Sequence, residues 1–353
     1  MRRQIENNER SAHEARFIRT KVPLASYTTF RIGGDAAYFA EVTNINELRE
    51  ALLFAHTQQL KYFILGGGSN LLVADEGFDG LIIHVAMRGI AHTVLNDCAF
   101  VTIGAGEKLD DVVAYAGKRS LWGIENLSAI PGTIGGAAVQ NAGAYGVELS
   151  NVIDSVEVYD MHEECVRIVS QQECAYGYRE STFKTKIGGR YVVMQVTLAL
   201  SLAPMPQLSY KDLAVRFPEQ TATLADIRKA VIAVRAAKFP DLTQYGTAGS
   251  FFKNPIVAAA TYATVQETYE AMPGYATEDD AVKIPIAWIL DHVLHLRGVR
   301  EGAVGAWEAQ PLVLTNYGHA TATEVDAFAK KIVHAVRECV GIDIEREVIT
   351  VHS

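Results

Sequence analysis

Apolar and polar positions change rhythm often along this chain, and the changes mark its elements. From Tyr38 an extended stretch gives way to Ile45, Leu48, Leu52 and Ala55 at helical spacing, with Asn44 and Glu47 three apart as a capping box. The apolar runs Tyr62 to Leu65 and Leu71 to Val73 flank GGGSN, which predicts strand, tight loop, strand. Phe100 to Ile103 reads as a strand and Leu109 to Lys118 as a short helix. Val152 to Tyr159 and Tyr191 to Leu200 alternate with period two, as half-buried strands do. At Leu202-Ala203-Pro204-Met205-Pro206 two prolines interrupt pairing, and beyond them the pattern turns helical. Leu224, Ile227, Val231 and Val234 share one face, ended by Pro240, and further helices are expected over Thr261 to Ala271 and Ile284 to Leu296. A last helix runs from about Thr323 to Val340, with Val325, Phe328, Ile332, Val336 and Cys339 inward and Gly341 at its C-cap. Ile344 to Val351 closes the chain as a strand. The fold class is α+β.

With 353 residues the chain suits more than one core. Its expected organisation is a disordered tail over 1–20, a first domain over 21–203 with subdomains about 21–88 and 89–203, and a second domain over 204–353. A net charge of −9 argues against a nucleic-acid partner, so any anionic ligand must be met by local cations. The most apolar segment, Tyr191 to Leu202, is interrupted by Gln195 and Thr197, so no membrane partner is expected; the first twenty residues lack the apolar centre of a signal peptide. Cys98, Cys165, Cys174 and Cys339 have no metal or redox spacing; they read as packing residues of a cytoplasmic protein.

The chemistry begins with two glycine-rich stretches, Gly66-Gly67-Gly68-Ser69-Asn70 and Pro131 to Gly146. Each sets bare backbone where N–H groups can close on phosphates. Neither fits the common nucleotide loops: the third glycine of G-x-G-x-x-G would fall on Leu71, and no G-x-x-x-x-G-K-[ST] occurs. Polar candidates lie in other punctuated segments: Tyr178 and Arg179, Tyr210, Lys238, Ser250 and Asn254, and Glu347. Each also fits a plain role: a surface ion pair for Arg179, half-buried packing for Tyr210 and Tyr275, a helix C-terminal charge for Lys238, a turn for Ser250 and Asn254, an exposed strand position for Glu347. His292 and His295 beside Asp291 lack the H-E-x-x-H spacing and read as a polar helix face, so no metal is expected. Ser250 has no G-x-S-x-G elbow, which argues against a serine hydrolase.

Taken in order, GGGSN, GIENLSAIPGTIGGAAVQNAGAYGVEL, ECAYGYRESTFK, LSYKDL, AGSFFKNP and IEREV resemble the UDP-N-acetylenolpyruvoylglucosamine reductase (MurB) family, in its longer type I form, from about Val22 to Val351. The resemblance implies noncovalent FAD in a two-part domain of the vanillyl-alcohol-oxidase / p-cresol methylhydroxylase type, and a C-terminal α+β substrate domain whose last strand returns to the flavin site. It implies NADPH as co-substrate, UDP-N-acetylglucosamine enolpyruvate as substrate, and a monomer. The cofactor set it implies is Arg31, with Thr29 and Ile32 nearby, Gly66, Gly67, Gly68, Ser69, Asn70, Pro131, Gly132, Thr133, Gly135, Gly136, Asn141, Gly143 and Ala144. Ser250 matches the family's proton donor, Arg179 the group that stabilises the developing charge, and Glu347 its partner. Tyr210, Lys238, Asn254, Tyr275 and Gln310 match the substrate-binding set; Tyr145 and Tyr178 fit either the substrate cavity or packing.

Two positions depart from the family pattern. Ala306-Trp307 stands where a Val-His pair is frequent, which bears on Gln310, and Arg346 stands where proline is common, a change expected to matter little while the second glutamate is retained. Two other readings compete: a sugar or alcohol oxidase on the same FAD scaffold, although neither glycine-rich loop holds a histidine to tether flavin, and a nonenzymatic nucleotide-sugar binding module.

Overall fold

The computed structural model describes residues 17–185, 188–277 and 280–353. They divide into two compact units that interleave along the chain. The first takes up residues through Val22, Ala36–Gly67 and Asp79–Arg235; the second takes Pro23–Asp35, Gly68–Phe78 and Ala236–Ser353.

The first unit is built on two sheets. One orders Ile18–Pro23, Asp35–Val42, Phe78–Val85 and Tyr62–Leu65, the last two strands running parallel. The other is antiparallel, in the order Cys165–Ser170, Ile153–Asp160, Tyr191–Ser201, Cys98–Gly104 and Ile90–Leu95. The alternation read in the sequence has a direct cause here: Val192, Val196, Leu198 and Leu200 face a core shared with Val101, Ile103, Val156 and Val158, while Gln195 stays outside. The helix Ile45–Thr57 starts where Asn44 Oδ1 accepts the amides of Asn46 and Glu47, and the Glu47 carboxylate accepts from Thr43 N and Oγ1. A short helix, Ile134–Gln140, packs on the strand Tyr191–Ser201. A satellite core joins Trp122, Tyr145, Leu208 and Leu213 to the helix Leu224–Lys238 through Leu224, Ile227, Ala230, Val231 and Val234.

In the second unit an antiparallel sheet orders Gly246–Ser250, Gln310–Asn316, Val304–Trp307 and Arg300–Glu301. The closing helix Ala322–Val340 lays Val325, Phe328, Ala329, Ile332 and Val336 into the core with Phe30, Leu72, Phe251, Phe252 and Leu314. Its start is fixed by a capping box, in which Thr321 Oγ1 accepts the Glu324 amide and Glu324 accepts the Thr321 amide. Asp75 adds a second cap, accepting from the amides of Ala322 at 2.6 Å and Thr323 at 2.9 Å. Gly341, at φ 72°, ends the helix in the left-handed region that favours glycine. The last strand, Ile349–Val351, runs parallel to Leu71–Val73.

Several expectations need correcting. The division falls after Arg235 instead of near Pro204, because the apolar face of Leu224–Lys238 is buried against Trp122, Tyr145, Leu208 and Leu213. The expected tail lies outside the described residues through residue 16, and from Ile18 the chain is a strand. The helix expected over Thr261 to Ala271 spans Ala259–Thr268, and that expected over Ile284 to Leu296 begins after Pro285 as one turn, Ile286–Trp288, then widens over Ile289–Val293, where the consecutive Ile289 and Leu290 are both buried. The strand expected over Ile344 to Val351 splits between two partners: Lys253 N donates to Glu345 O and Glu347 N to Phe251 O before the pairing with Leu71–Val73 begins. Cys174 alone of the four thiols is buried; Cys165 and Cys339 are exposed, and Val340 takes the inward place expected for Cys339.

Candidate active site

In the first unit Gly66 and Gly67 meet the second glycine-rich stretch. A Cβ on Gly67 would lie 2.5 Å from Gly132 Cα and 2.8 Å from Thr133 N, and one on Gly66 would lie 2.9 Å from Thr133 Oγ1. Gly67 is therefore required by the close approach of one backbone to another, while Gly66 faces the Thr133 hydroxyl. Among the described residues, the amides of Gly67, Gly68, Ser69 and Asn70 donate no hydrogen bond to the protein. A bend of bare, unpartnered amides suits a phosphate diester, and this chemistry fits the pyrophosphate of FAD. The second stretch behaves differently. Ile134 N donates to Glu107 O, Gly135 N to Ala105 O, and Gly136 N to the cap Thr133 Oγ1. The amides of Gly135 and Gly136 are thus engaged in packing and in the helix cap.

Asn141 is fully buried at φ 45°, and its side chain ties three loops: Nδ2 donates to Glu148 Oε2 at 2.8 Å and to Gly177 O at 2.9 Å, while Oδ1 accepts from Ser150 N. It is a scaffold residue in this arrangement. Arg179, also left-handed at φ 57°, donates Nη1 to Asn141 O at 3.3 Å and Nη2 to Gly143 O at 3.0 Å. Gly143 permits that approach, since a Cβ there would sit 3.3 Å from Arg179 Nη1 and 2.9 Å from Glu148 Cγ. The guanidinium lies 5.4 Å from the Tyr178 ring centre and is half-buried, so its charge is held at the rim of the Asn141 to Ala144 loop.

Tyr145 is buried beside Tyr210, their rings edge to face at 5.3 Å, while Tyr210 itself is exposed. Burial first, with smaller opposing help from Arg235, pushes the Tyr145 hydroxyl up to about 12, so it stays a neutral donor. Arg235 shares a hydrogen bond with that hydroxyl and donates Nε to Ala129 O at 3.1 Å. Arg228 grips Asp110 with both Nη atoms, at 2.7 and 3.0 Å, and Asp110 also accepts from Ala129 N at 2.6 Å. Burial raises the Asp110 carboxyl, but the Arg228 and Ala129 hydrogen bonds and the Arg228 and Arg235 charges together leave it below the usual aspartate range. Asn126, wholly buried, donates to Tyr145 O and Gln207 O. Sequence reasoning missed Asp110, Asn126, Arg228 and Arg235. The only signal for Arg235 was its place one turn before Lys238 on the same helix.

In the second unit three expected residues converge. Ser250 is half-buried at the end of its strand, where a register break after Thr247 and Gly249 at φ 79° re-aim the chain before it pairs with Val313. The next residue's carbonyl accepts from Glu347 N at 2.9 Å, and Glu347 O accepts from Asn70 Nδ2 at 3.1 Å. Ile349 N donates to Asn70 O, so the end of the GGGSN loop is stitched to the IEREV segment. Asn254 is turned to structure: its Oδ1 accepts from Ile286 N at 3.0 Å and starts the next helical turn. Lys238 is half-buried at its helix end, Tyr275 is exposed in a short ribbon, and Gln310 pairs with Trp307 at a hairpin. Arg31, exposed at φ 57°, donates to the Leu242 carbonyl, and Thr29 Oγ1 to Thr247 O. Trp307 belongs to an aromatic trio with Tyr245 and Tyr317 that lines, with Gly298, Arg300 and Glu308, a cavity of about 440 Å³.

Asp291 is held by Arg297 and His292 stacks on Trp288; among the described residues no group of three His, Cys, Asp or Glu side chains could hold a metal. Among the same residues no helix is long and apolar enough to cross a membrane.

The family model for an FAD binding domain matches residues 36–168, and that for the C-terminal domain of UDP-N-acetylenolpyruvoylglucosamine reductase matches residues 241–351. The UDP-N-acetylenolpyruvoylglucosamine reductase of Porphyromonas gingivalis is 39% identical over 334 residues, which cover 94% of this chain and 98% of that protein. That of Neisseria gonorrhoeae is 37% identical over 335 residues, covering 94% and 96%. Among solved structures, the crystal structure of UDP-N-acetylenolpyruvylglucosamine reductase (MurB) from Thermus caldophilus matches with a TM-score of 0.66 and 26% identity, covering 95% of this chain and 99% of that one.

Proposed function

The chain belongs to the UDP-N-acetylenolpyruvoylglucosamine reductase family, and from that premise we propose that it reduces UDP-N-acetylglucosamine enolpyruvate to UDP-N-acetylmuramate with NADPH, in peptidoglycan precursor synthesis. It is an FAD-dependent oxidoreductase. The observation that carries this reading is the similarity itself, which runs through both matched domains and nearly the whole chain.

FAD, when bound, would supply the hydride-transfer chemistry between NADPH and the terminal carbon of the enolpyruvyl double bond. The bare amides of Gly67 to Asn70 are the proposed seat of its pyrophosphate. Addition at that carbon leaves an electron pair on the neighbouring carbon, delocalised into the carboxylate. Arg179 is the proposed counter-charge: a guanidinium is permanently charged and can serve a carboxylate while two of its N–H groups remain on backbone carbonyls. Ser250 is the proposed proton donor. Its Oγ–H bond breaks as a C–H bond forms at the electron-rich carbon, and the serine regains its proton from water. Glu347 serves as a protonated acid or an orienter of donors, because a bare carboxylate would repel the developing charge. Tyr210, Lys238, Tyr275 and Gln310 are proposed for the UDP-sugar; Lys238 provides the local cation that an acidic chain needs for a diphosphate. The same proposal has the protein act as a cytoplasmic monomer, and its four free thiols suit a reducing compartment.

An anaerobic colour cycle tests the reading. NADPH should bleach the yellow protein, and UDP-N-acetylglucosamine enolpyruvate should restore the colour with one UDP-N-acetylmuramate formed per flavin. Bleaching that only oxygen reverses would contradict it.

A further inference from the structure

Arg346 was expected to matter little, yet its side chain is among the best-anchored near the closing strand. Nη1 donates to Asp326 Oδ1 at 2.7 Å and Nη2 to Asp326 O at 3.3 Å, so one planar fork spans a carboxylate and a helix carbonyl. Its guanidinium carbon lies 5.7 Å from the Phe251 ring centre, and its backbone bridges Phe252. Phe251 and Phe252 are buried, edge to face with one another, directly after Ser250. The two flanking ladder bonds, Lys253 N to Glu345 O and Glu347 N to Phe251 O, are both 2.9 Å. Arg346 is thus the pin between the closing helix Ala322–Val340 and the two-stranded corner that carries Ser250 on one side and Glu347 on the other.

We infer that Arg346 is a positioning residue for the proton-donating step: by clamping Asp326 it fixes the register of Glu345 to Glu347 against Phe251 to Lys253, and so the placement of Ser250 and Glu347. The inference rests on the roles given above to those two residues. A half-buried ion pair backed by a second hydrogen bond to a backbone carbonyl holds geometry better than an exposed one. Asp326 has a second cation, Lys330 at 2.7 Å, but that lysine is largely exposed and sits on the same helix, so it ties nothing to the corner. Lys330 first, and Arg346 after burial's opposing pull, hold the Asp326 carboxyl below its ordinary value. The clamp is therefore present above about pH 4 and is lost only as pH falls through that lowered value.

The test compares Arg346→Met, Arg346→Lys, Asp326→Asn and the control Lys330→Ala as flavin-loaded proteins, with Ser250→Ala alongside. Arg346→Met should leave flavin reduction by NADPH within about twofold and slow reoxidation by the enolpyruvyl substrate roughly ten- to a hundredfold, the range expected when a reacting group is misplaced by about an ångström. Asp326→Asn should follow it, Arg346→Lys should recover part of the loss, and Lys330→Ala should match the parent. Independently of turnover, amide exchange at Lys253 and Glu347 should quicken at least tenfold in Arg346→Met, while amides in the middle of Ala322–Val340 keep their protection. Reoxidation within twofold of the parent, or equal loss in both half-reactions, would overturn the inference. If Ser250→Ala also leaves reoxidation intact, the fault lies with the role given to Ser250; if Ser250→Ala impairs it and Arg346→Met does not, only the role given to Arg346 falls.

Discussion

Gly67 is the residue on which the proposed cofactor cradle turns. Its neighbours at 2.5 and 2.8 Å are backbone atoms, which cannot swing aside as the tip of a side chain can. Gly67→Ala should therefore force the 66–70 bend away from Gly132 and Thr133. The expected outcome is a folded protein that binds FAD at least tenfold more weakly, read from the ratio of flavin to protein absorbance and by titration of apoprotein; full flavin occupancy would contradict the cradle. Arg179 and Tyr145 show a second kind of residue-level constraint. Both hold left-handed backbone without being glycine, Arg179 with its guanidinium on the Gly143 carbonyl and Tyr145 with its hydroxyl bonded to Arg235 on the helix Leu224–Lys238. Their types were legible in the sequence; their partners, up to 90 positions away for Tyr145 and Arg235, were not.

Among the elements, the closing helix shows how two distant segments can share one cap. Thr321 and Glu324 form the local box, and Asp75, from the turn after Leu71–Val73, accepts the next two amides. Burial raises the Asp75 carboxyl, but the Thr323 and Ala322 bonds outweigh it and leave it below its ordinary value. A depressed folded-state value means that this stabilisation is present above the unfolded aspartate value and disappears as pH falls through the lowered one. Asp75→Ala should cost about 1 kcal/mol in urea unfolding at pH 7, the usual worth of a cap, and the gap from the parent should shrink below about pH 4. A gap that is unchanged in acid would mean that the carboxylate is not the cap. The helix itself could be read from sequence because periodicity, box and C-terminal glycine agree along 19 residues. The segment Ile344 to Val351 could not be divided correctly, since apolar alternation says that a strand is present and nothing about which partners it takes.

At the scale of the whole molecule, the α+β class, the FAD-binding first part and the separate C-terminal domain were legible, because long glycine-punctuated motifs and a change of period mark them. The interleaving was not. Residues 23–35 and 68–78 leave their sequence neighbours to join the second unit, where Phe30, Ile32 and Leu72 are core. Such a choice depends on long-range burial, which leaves no local pattern. Arg179 lies in the first unit, and Ser250 and Glu347 lie in the second. Hydride delivery and proton delivery are then separable functions of this chain. Stopped-flow measurement of Ser250→Ala, with each half-reaction followed by flavin absorbance, asks that directly. The account expects reduction by NADPH at near the parent rate and reoxidation by UDP-N-acetylglucosamine enolpyruvate slowed by about 10²–10⁴-fold, the usual worth of a positioned acid; reoxidation at the parent rate would contradict it.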